Sequence, residues 1–243
     1  MNVAKPSVLA LVPARGGSKG IVRKNLRTVG GRSLIAHAAR IATSVPDVTT
    51  AIASTDDAEM AAEAVRYGLQ VPFMRPAELA SDSVDAVSMW RDAWRRSEAH
   101  YGMTFEVGVL LEPTSPLRRV SDVVRTIKTL TAGEHAAAAT VSRTPAHYTP
   151  HKTLLIDESG QLQPMLSREE SPSLRQLIPE QYHRNGICYA VRRETLVEHG
   201  TILERGCVAV VIERPVVNID EPFDLELAEW LLERERNGGA RDR

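Results

Sequence analysis

Apolar runs of strand length alternate with segments of helical periodicity along the first 140 residues. The strand-like runs are VLALVP (8–13), TTAIAST (49–55), FEVGVLLEP (105–113) and AAAATVS (136–142). Their continuous apolar character is typical of strands that are buried on both faces. The alternation with helices predicts βαβ units and a largely parallel sheet, and therefore an α/β fold class.

Capping residues place the beginnings of the first two helices. Ser33 can act as the N-cap of a helix that follows the Gly-rich segment. Asp56 and Glu59 have the spacing of a capping box, ahead of a helix that runs through Tyr67 and that Gly68 can end. Each of these helices therefore follows a predicted strand directly.

Three further helices are predicted from periodicity. One extends from Asp82 to His100, and Asp82 is more readily explained as its N-cap than as a ligand-binding residue. In a second helix Val123, Ile127 and Leu130 share one face. The last helix extends from Pro222 to about Arg236, with an acidic start and a basic end that suit the helix dipole.

Residues 143–184 differ in composition from the rest of the chain. Five prolines interrupt this segment, and TLLIDESGQLQPM (153–165) has the pattern of a β-hairpin around Glu158 to Gly160. Strand-like runs resume at GICYAV (186–191) and VAVVIERP (208–215). We therefore expect a single α/β domain over residues 1–243 with an inserted arm at about 143–184.

Composition narrows the classes of function. The 243 residues carry 30 Lys and Arg against 31 Asp and Glu, and a formal charge of −1 disfavours a nucleic-acid partner. No apolar run approaches the roughly 20 residues that a membrane helix needs. Cys188 and Cys207 lie in apolar contexts without a CxxC spacing, which suits reduced thiols. We expect a cytoplasmic protein that has neither a membrane nor a nucleic-acid partner.

The segment ARGGSKGIVRKN (14–25) follows the first strand and concentrates glycines and cations. Its glycines allow backbone amides to approach an anion, and Arg15, Lys19, Arg23 and Lys24 supply positive charge. The spacing matches neither the P-loop nor the dinucleotide pattern. The sequence therefore predicts a polyphosphate site of a third type.

Six segments in order resemble the acylneuraminate cytidylyltransferase family. They are LVPARGGSKGIVRKN (11–25), RPAELASD (75–82), PTSPLR (113–118), HKTLL (151–155), RNG (184–186) and NIDEPFDLELAE (218–229). The resemblance implies a Rossmann-like nucleotidyltransferase fold of the glycosyltransferase-A-like kind, with a mostly parallel three-layer sheet and a small dimerisation arm. It also implies a homodimeric enzyme that transfers CMP from CTP to a nonulosonic acid, a small acidic sugar, and releases pyrophosphate.

The resemblance assigns residues to the nucleotide. The positions implied in nucleotide binding are Ala14, Arg15, Gly16, Gly17, Ser18, Lys24, Asn25, Arg75 and Ser81. Among them Arg75 and Ser81 would lie near the base. Arg15 and Lys24, together with Asp220, are the residues that we expect to carry catalysis.

On the acceptor side the resemblance implies a second set. It comprises Glu112, Thr114, Ser115, Lys152, Arg175, Gln176, Asn185 and Tyr189. Glu112 replaces the glutamine that is usual in the family, and an ion pair with Arg118 is the alternative explanation for it. Tyr189 is equally compatible with a place in the hydrophobic core.

The metal position departs from the family pattern. The family usually has Asp-x-Asp before its last helix, whereas this chain has Asn218 and Asp220. We expect Asp220 to hold Mg²⁺ or Mn²⁺ with help from the Asn218 carbonyl, more weakly than two aspartates would. Capping of the last helix is the alternative role for Asp220.

Two other functions are compatible with these departures. Glu112 suits transfer of CMP to another acidic acceptor, such as an eight-carbon sugar acid or a phosphonate. Asn218 suits a catalytically silent nucleotide-binding protein with a degraded metal site.

Overall fold

The computed structural model describes residues 5–18, 20–167, 177–204 and 206–238. Its helices are α1 (Leu34–Ser44), α2 (Ala58–Arg66), α3 (Ala86–Tyr101), α4 (Val120–Thr131) and α5 (Pro222–Gly238). Its longer strands are β1 (Val8–Pro13), β4 (Thr50–Ser54), β5 (Val107–Leu110), β6 (Ala137–Arg143), β9 (Tyr182–Arg192) and β10 (Cys207–Val211). The short strands are β2 (Thr28–Val29), β3 (Arg32–Ser33), β7 (Leu154–Ile156) and β8 (Leu162–Pro164).

The six longer strands form one sheet in the order β10-β6-β9-β5-β1-β4. β1 pairs in parallel with β4 and β5, and β6 pairs in parallel with β10. β9 is antiparallel to both of its neighbours, β5 and β6. The predicted α/β class with a mostly parallel sheet is confirmed.

Helices cover both faces of this sheet. Side chains of β1 point alternately to the two faces and therefore pack in two different cores. Val8, Ala10 and Val12 pack on one side with residues of α1, α2 and α4. Leu9 and Leu11 pack on the other side with α3 and a π-helical turn at 194–198. Three layers result, as the family resemblance implied.

Two of the helix starts expected from sequence are shifted in the structure. Ser33 caps α1 as predicted, because its hydroxyl accepts a hydrogen bond from the amide of Ala36. For α2, however, the cap is Asp57, whose Oδ1 lies 3.0 Å from the Met60 nitrogen. Asp56 instead accepts a 2.9 Å hydrogen bond from the amide of Gly16, so long-range geometry overrides the local spacing.

The start of α3 differs in the same way. Asp85 caps this helix through a 2.8 Å hydrogen bond from the Ser88 amide. The prediction that Asp82 begins the helix was wrong by three residues. Asp82 is instead 2.7 Å from the guanidinium of Arg15.

The arm between β6 and β9 contains the predicted hairpin. β7 and β8 pair antiparallel, and Gly160 has the positive φ of 81° that its turn requires. The pairing of Arg143 with Tyr182 closes the base of the arm. The apolar side chains of the hairpin are half or more exposed, namely Leu154, Leu155, Ile156, Leu162 and Met165.

Within the described residues, the cysteines and the helices agree with the composition. Cys188 is buried, Cys207 is half-buried, and both are free thiols, as expected. None of the helices seen here is at once long enough and apolar enough to cross a bilayer.

Gly108 is required for the packing of α3 on the sheet. A methyl group at this position would lie 2.0 Å from the ring of the fully buried Trp94. We predict that Gly108→Ala lowers the free energy of unfolding by about 1–3 kcal/mol, because overpacking forces the ring or the backbone to move. Urea titration measures this. Gly17→Ala is the control, since nothing lies within 4 Å of a Cβ there, and an equal loss in both variants would contradict the packing argument.

Candidate active site

A cavity of about 450 Å³ lies at the carboxyl edge of the sheet, where β1 and β5 end. Open α/β sheets bind their ligands at this edge. Four segments that are distant in sequence contribute to the walls: the Gly-rich loop, the stretch leading into α3, the turn after β5, and the residue before α5. The polar and charged lining residues are Arg15, Ser18, Lys24, Asn25, Arg75, Ser81, Asp82, Asp85, Glu112, Thr114 and Asp220.

Hydrogen bonds of main-chain groups hold the Gly-rich loop in place. The amide of Ala14 binds the Ser54 carbonyl at 2.9 Å, and the amide of Gly16 binds Asp56. The buried side chain of Asn25 donates to the carbonyl of Arg15 at 3.1 Å. Asn25, which the resemblance assigned to the nucleotide, thus also shapes the loop that presents Arg15.

Two of the four loop cations face the cavity. The Arg15 guanidinium is paired with Asp82, and the Lys24 ammonium lies 2.8 Å from the Ile219 carbonyl and 3.0 Å from Asp220 Oδ1. These partners are charged or polar groups that an arriving triphosphate could replace. Arg15 and Lys24 therefore both line the cavity, and their contact with a triphosphate stays a prediction.

Arg23, a third loop cation, does not line the cavity. Arg23 has a left-handed backbone, with φ of 54°, that directs its guanidinium to Asp57 at 3.2 Å and Glu59 at 2.7 Å. The prediction that Arg23 serves a polyphosphate was wrong, because α2 supplies acidic partners outside the cavity. Lys19 lies outside the described residues.

Arg75 forms the wall where the resemblance placed the base. It is buried, and its Nε and Nη2 donate to the hydroxyl and the carbonyl of Ser54. Burial lowers the pKa of Arg75. Ser81 is exposed at the rim, 3.1 Å from the Ser83 hydroxyl.

An apolar wall beside Arg75 was missed in the sequence. Leu79, Val84, Ala86 and Met89 line the cavity at the start of α3. Their signal in the sequence is the apolar stretch around the first turn of that helix, which is indistinguishable from core without the tertiary structure. Such a wall can pack against the face of a nucleobase.

The turn after β5 brings oxygen atoms together around Gly186. A Cβ on Gly186 would lie 2.8 Å from the Ser115 hydroxyl and 3.1 Å from both Asn218 Oδ1 and Glu112 Oε2. Gly186 also has φ of 69°, a conformation that favours glycine. The RNG motif is thus explained by crowding as well as by backbone conformation.

Glu112 lies half-buried between this cluster and the cavity. Burial, and to a smaller extent the nearby charge of Asp220, raises the pKa of Glu112. Arg118 donates to the main-chain carbonyl of Glu112 at 2.6 Å, and in the described structure no ion pair joins the two side chains. The alternative of a Glu112–Arg118 ion pair was therefore wrong, since Nε and Nη2 of the guanidinium donate to main-chain carbonyl groups.

Asn185 and Tyr189 of β9 do not line the cavity. The Asn185 amide binds the Ser142 hydroxyl at 3.0 Å, and its oxygen accepts from the Ile187 amide. Tyr189 packs in the core on the α3 side of the sheet, and burial raises its pKa to about 12. Both residues therefore stabilise the strand beside the cavity rather than its walls.

The arm residues assigned to the sugar acid are separated from the cavity. Lys152 is exposed in a 3₁₀ turn that precedes the hairpin. Arg175 and Gln176 lie outside the described residues. Within one chain, Lys152 does not line the cavity, whereas Arg184, the last residue of the arm, is close enough to Glu112 to oppose the rise in its pKa.

Asp220 is available for a ligand rather than for capping. Asp224, in the first turn of α5, accepts through Oδ2 from the amides of Asp220 at 2.9 Å and Glu221 at 2.8 Å, which precede the helix. In the described structure the Asp220 carboxylate itself accepts from Lys24 and Asn218 and from no amide of α5. The capping alternative for Asp220 was therefore wrong. Its carboxylate is 68% exposed, with Lys24 on one oxygen and the Asn218 amide at 3.3 Å on the other.

The donor set near Asp220 fits a divalent cation only in part. The amide nitrogen of Asn218, rather than its oxygen, faces Asp220. No cluster of three or more His, Cys, Asp or Glu in the described structure could hold a metal ion. One carboxylate and hard oxygens nearby suit magnesium when phosphates and water complete its coordination.

Comparison with known proteins agrees with this geometry. The family model described as cytidylyltransferase matches residues 9–199. The chain is 28% identical to post-translational flagellin modification protein B of Campylobacter coli, over 97% of this chain and 98% of that protein. It is 29% identical to the CMP-N,N'-diacetyllegionaminic acid synthase of Campylobacter jejuni, over 93% and 94% of the two chains.

A solved structure shares the fold. It is a CMP:2-keto-3-deoxy-manno-octonic acid synthetase in complex with CTP, with a TM-score of 0.69 and 18% identity over 94% of this chain and 99% of that one. The family match spans well over half of the sequence. This chain is a nucleotidyltransferase and belongs to the cytidylyltransferase family.

Proposed function

We propose that this enzyme transfers CMP from CTP to a nonulosonic, sialic-acid-like sugar acid and releases pyrophosphate. The observation that carries the proposal is the convergence of Arg15, Lys24 and Asp220 on one cavity, although Asp220 lies 196 positions from Lys24. The name of the Campylobacter jejuni relative supports an acceptor of the legionaminic acid class.

The nucleotide half of the reaction depends on charge. Arg15 and Lys24 would exchange Asp82 and Asp220 for the triphosphate, while Arg75, Ser81 and the apolar wall would hold the base. The anomeric hydroxyl of the sugar would attack the α-phosphorus, and pyrophosphate would leave from the opposite side. Positioning and electrostatic stabilisation by fixed cations supply most of the catalysis in such a transfer.

The acceptor half is shaped by Glu112, Thr114 and Ser115. The Glu112 carboxylate disfavours a second carboxylate nearby, so the acid group of the sugar would lie away from it. Lys152 and Arg175 of a partner's arm are the cations that we propose for that acid group. Glu112 would then face hydroxyl or amide hydrogens of the sugar.

A magnesium or manganese ion is part of the proposal. Asp220 would hold it, together with the Asn218 oxygen after rotation of that amide. When bound, the ion would neutralise charge on the phosphate oxygens.

We also propose a homodimer built through the arm. The β7–β8 hairpin exposes apolar side chains that nothing in the described part of the chain covers. An isolated two-stranded hairpin is marginal in water, so a covering surface stabilises it. A second copy would bury these side chains and bring Lys152 to the neighbouring acceptor site.

The direct test is pyrophosphate release from CTP and magnesium with a panel of acids. The panel contains legionaminic, pseudaminic and N-acetylneuraminic acids, an eight-carbon sugar acid and a phosphonate. We expect the highest kcat/KM with a nine-carbon acid. Turnover of only the eight-carbon acid or the phosphonate would overturn the proposed acceptor, and CTP binding without any turnover would identify a silent protein.

Lys24 should be essential for transfer. We predict that Lys24→Ala lowers kcat about 100-fold or more, because a fixed charge near the reacting phosphate is lost. Pyrophosphate release measures this, and circular dichroism checks the fold. Lys128→Ala, on the exposed face of α4, is the matched control. Near-normal turnover of the Lys24 variant would refute its role.

Asn218 should determine how much magnesium the enzyme needs for activity. We predict that Asn218→Asp lowers the magnesium concentration for half-maximal activity several-fold, since a second carboxylate joins Asp220. Electron paramagnetic resonance of Mn²⁺ with CTP gives a binding constant independent of turnover. Asn237→Asp, exposed on α5, controls for added charge. Unchanged metal affinity would argue against a metal at this position.

The arm should control association. We predict that Leu155→Glu with Ile156→Glu converts the dimer to monomer, because two charges would be buried at the interface. Sedimentation velocity measures the mass. Val65→Glu tests an equally exposed apolar residue on α2. A wild-type monomer, or a dimer that survives the double substitution, would exclude this interface.

A further inference from the structure

A second cavity, of about 390 Å³, lies between α1, the turn before α4, and α5. It shares no lining residue with the candidate active site. Its charged and ionisable lining residues are Arg32, His37, Arg40, Arg118, Glu235 and Arg236. We call it the basic cavity.

Positive charge in the basic cavity is only partly balanced by the protein: the charges of Glu112 and Asp122 act on Arg118, and Arg236 donates to the Gly30 carbonyl at 3.1 Å. Glu235 is engaged by Arg119, outside the cavity lining, at 2.8 Å. In the described structure Arg32 and Arg40 form no ion pair or hydrogen bond through their side chains. The whole chain has a formal charge of −1, so this excess of cations is local.

The pKa of His37 is lowered by burial and by the positive charge around it. It is half-buried, and its Nε2 donates to the Val29 carbonyl at 2.7 Å. Burial lowers the pKa of His37, and the guanidinium groups of Arg32, Arg40 and Arg236 lower it further. These three arginines are therefore close enough to the ring to repel a proton.

Arg118 gives an independent sign of a missing partner. It is 4% exposed, and its Nε and Nη2 donate to the carbonyls of Ile187, Glu112 and Gly186. Its Nη1 is buried without a hydrogen-bond partner, although Arg118 lines the basic cavity. A buried donor on a charged group that stays unpaired costs free energy, which an anion or an anion-held water would recover.

We infer that the basic cavity binds a small, multiply charged anion of the phosphate class. Guanidinium groups match phosphate oxygens through paired hydrogen bonds. A single carboxylate would leave most of the four arginines uncompensated, whereas a dianion offsets their mutual repulsion. The site would lie one side chain, Arg118, away from the acceptor side of the active site.

The experiment follows the ring resonances of His37 by NMR during titration with inorganic phosphate at constant ionic strength. The chain has seven histidines, and loss of one signal in His37→Gln assigns the resonance. No described histidine lines the active-site cavity, so phosphate bound there leaves the reporter unaffected. We expect a saturable shift and a rise in the pKa of His37, because the anion offsets the arginine charges.

Variants connect the shift to the cavity. Arg32→Ala with Arg40→Ala should weaken phosphate binding about tenfold or more, since charge-assisted hydrogen bonds are removed. Arg40→Ala alone, on the exposed face of α1, serves if the double variant folds poorly. Arg66→Ala, an exposed arginine on α2, should bind as the wild type does.

Pyrophosphate and CMP are separate arms of the titration. The probe with the lowest Kd identifies the occupant: inorganic phosphate indicates free phosphate, pyrophosphate indicates the product of the proposed reaction, and CMP indicates an organic phosphate. A shift of the wild-type resonance that does not saturate with any of them would overturn the inference. Equal affinity in the wild type and the arginine variants would overturn it as well.

Discussion

The buried guanidinium of Arg118 fixes the geometry on which the acceptor side depends. It joins the carbonyl of Glu112, after β5, to the carbonyls of Gly186 and Ile187 in β9. Burial lowers its pKa to about 10, so it remains charged at neutral pH. Because a buried charge is costly unless it is hydrogen-bonded, these carbonyls cannot move away cheaply.

Gly186 is then held where three oxygens converge. Its left-handed backbone and missing side chain allow Ser115, Asn218 and Glu112 to approach one point. The two departures from the family pattern, Glu112 and Asn218, thus lie side by side. Relative to that pattern, a carboxylate has been gained at one position and lost at the other, so the local charge is conserved while its location changes.

A second contact joins the Gly-rich loop to the segment before α5. A side chain on Gly20 would meet the Asp220 carbonyl at 2.4 Å, and Lys24 binds both Ile219 and Asp220. The Gly-rich loop and the segment before α5 therefore form one wall of the cavity. In the free protein Arg15 and Lys24 are already oriented by Asp82 and Asp220, which reduces the rearrangement that a triphosphate would require.

The main helices and strands, and several residues that line the cavity, could be predicted from the amino-acid sequence. Strand β1 has the predicted bounds, Ser33 caps its helix, and Arg15, Lys24 and Arg75 line one cavity. These features follow from periodicity, local capping chemistry and a loop that directly follows a strand, all of which act over a few residues. Strand β9 was expected, but its antiparallel direction depends on its partners.

The pairing of distant side chains, in contrast, depends on the tertiary structure. Asp56 accepts a hydrogen bond from the Gly16 amide instead of capping α2, and Arg23 donates to Glu59 outside the cavity. Asp224 accepts from the amide of Asp220 just before α5. The basic cavity likewise joins arginines that lie in segments more than 190 positions apart. Such pairings depend on which surfaces the fold brings within hydrogen-bond distance, and a local sequence pattern carries no information about that distance.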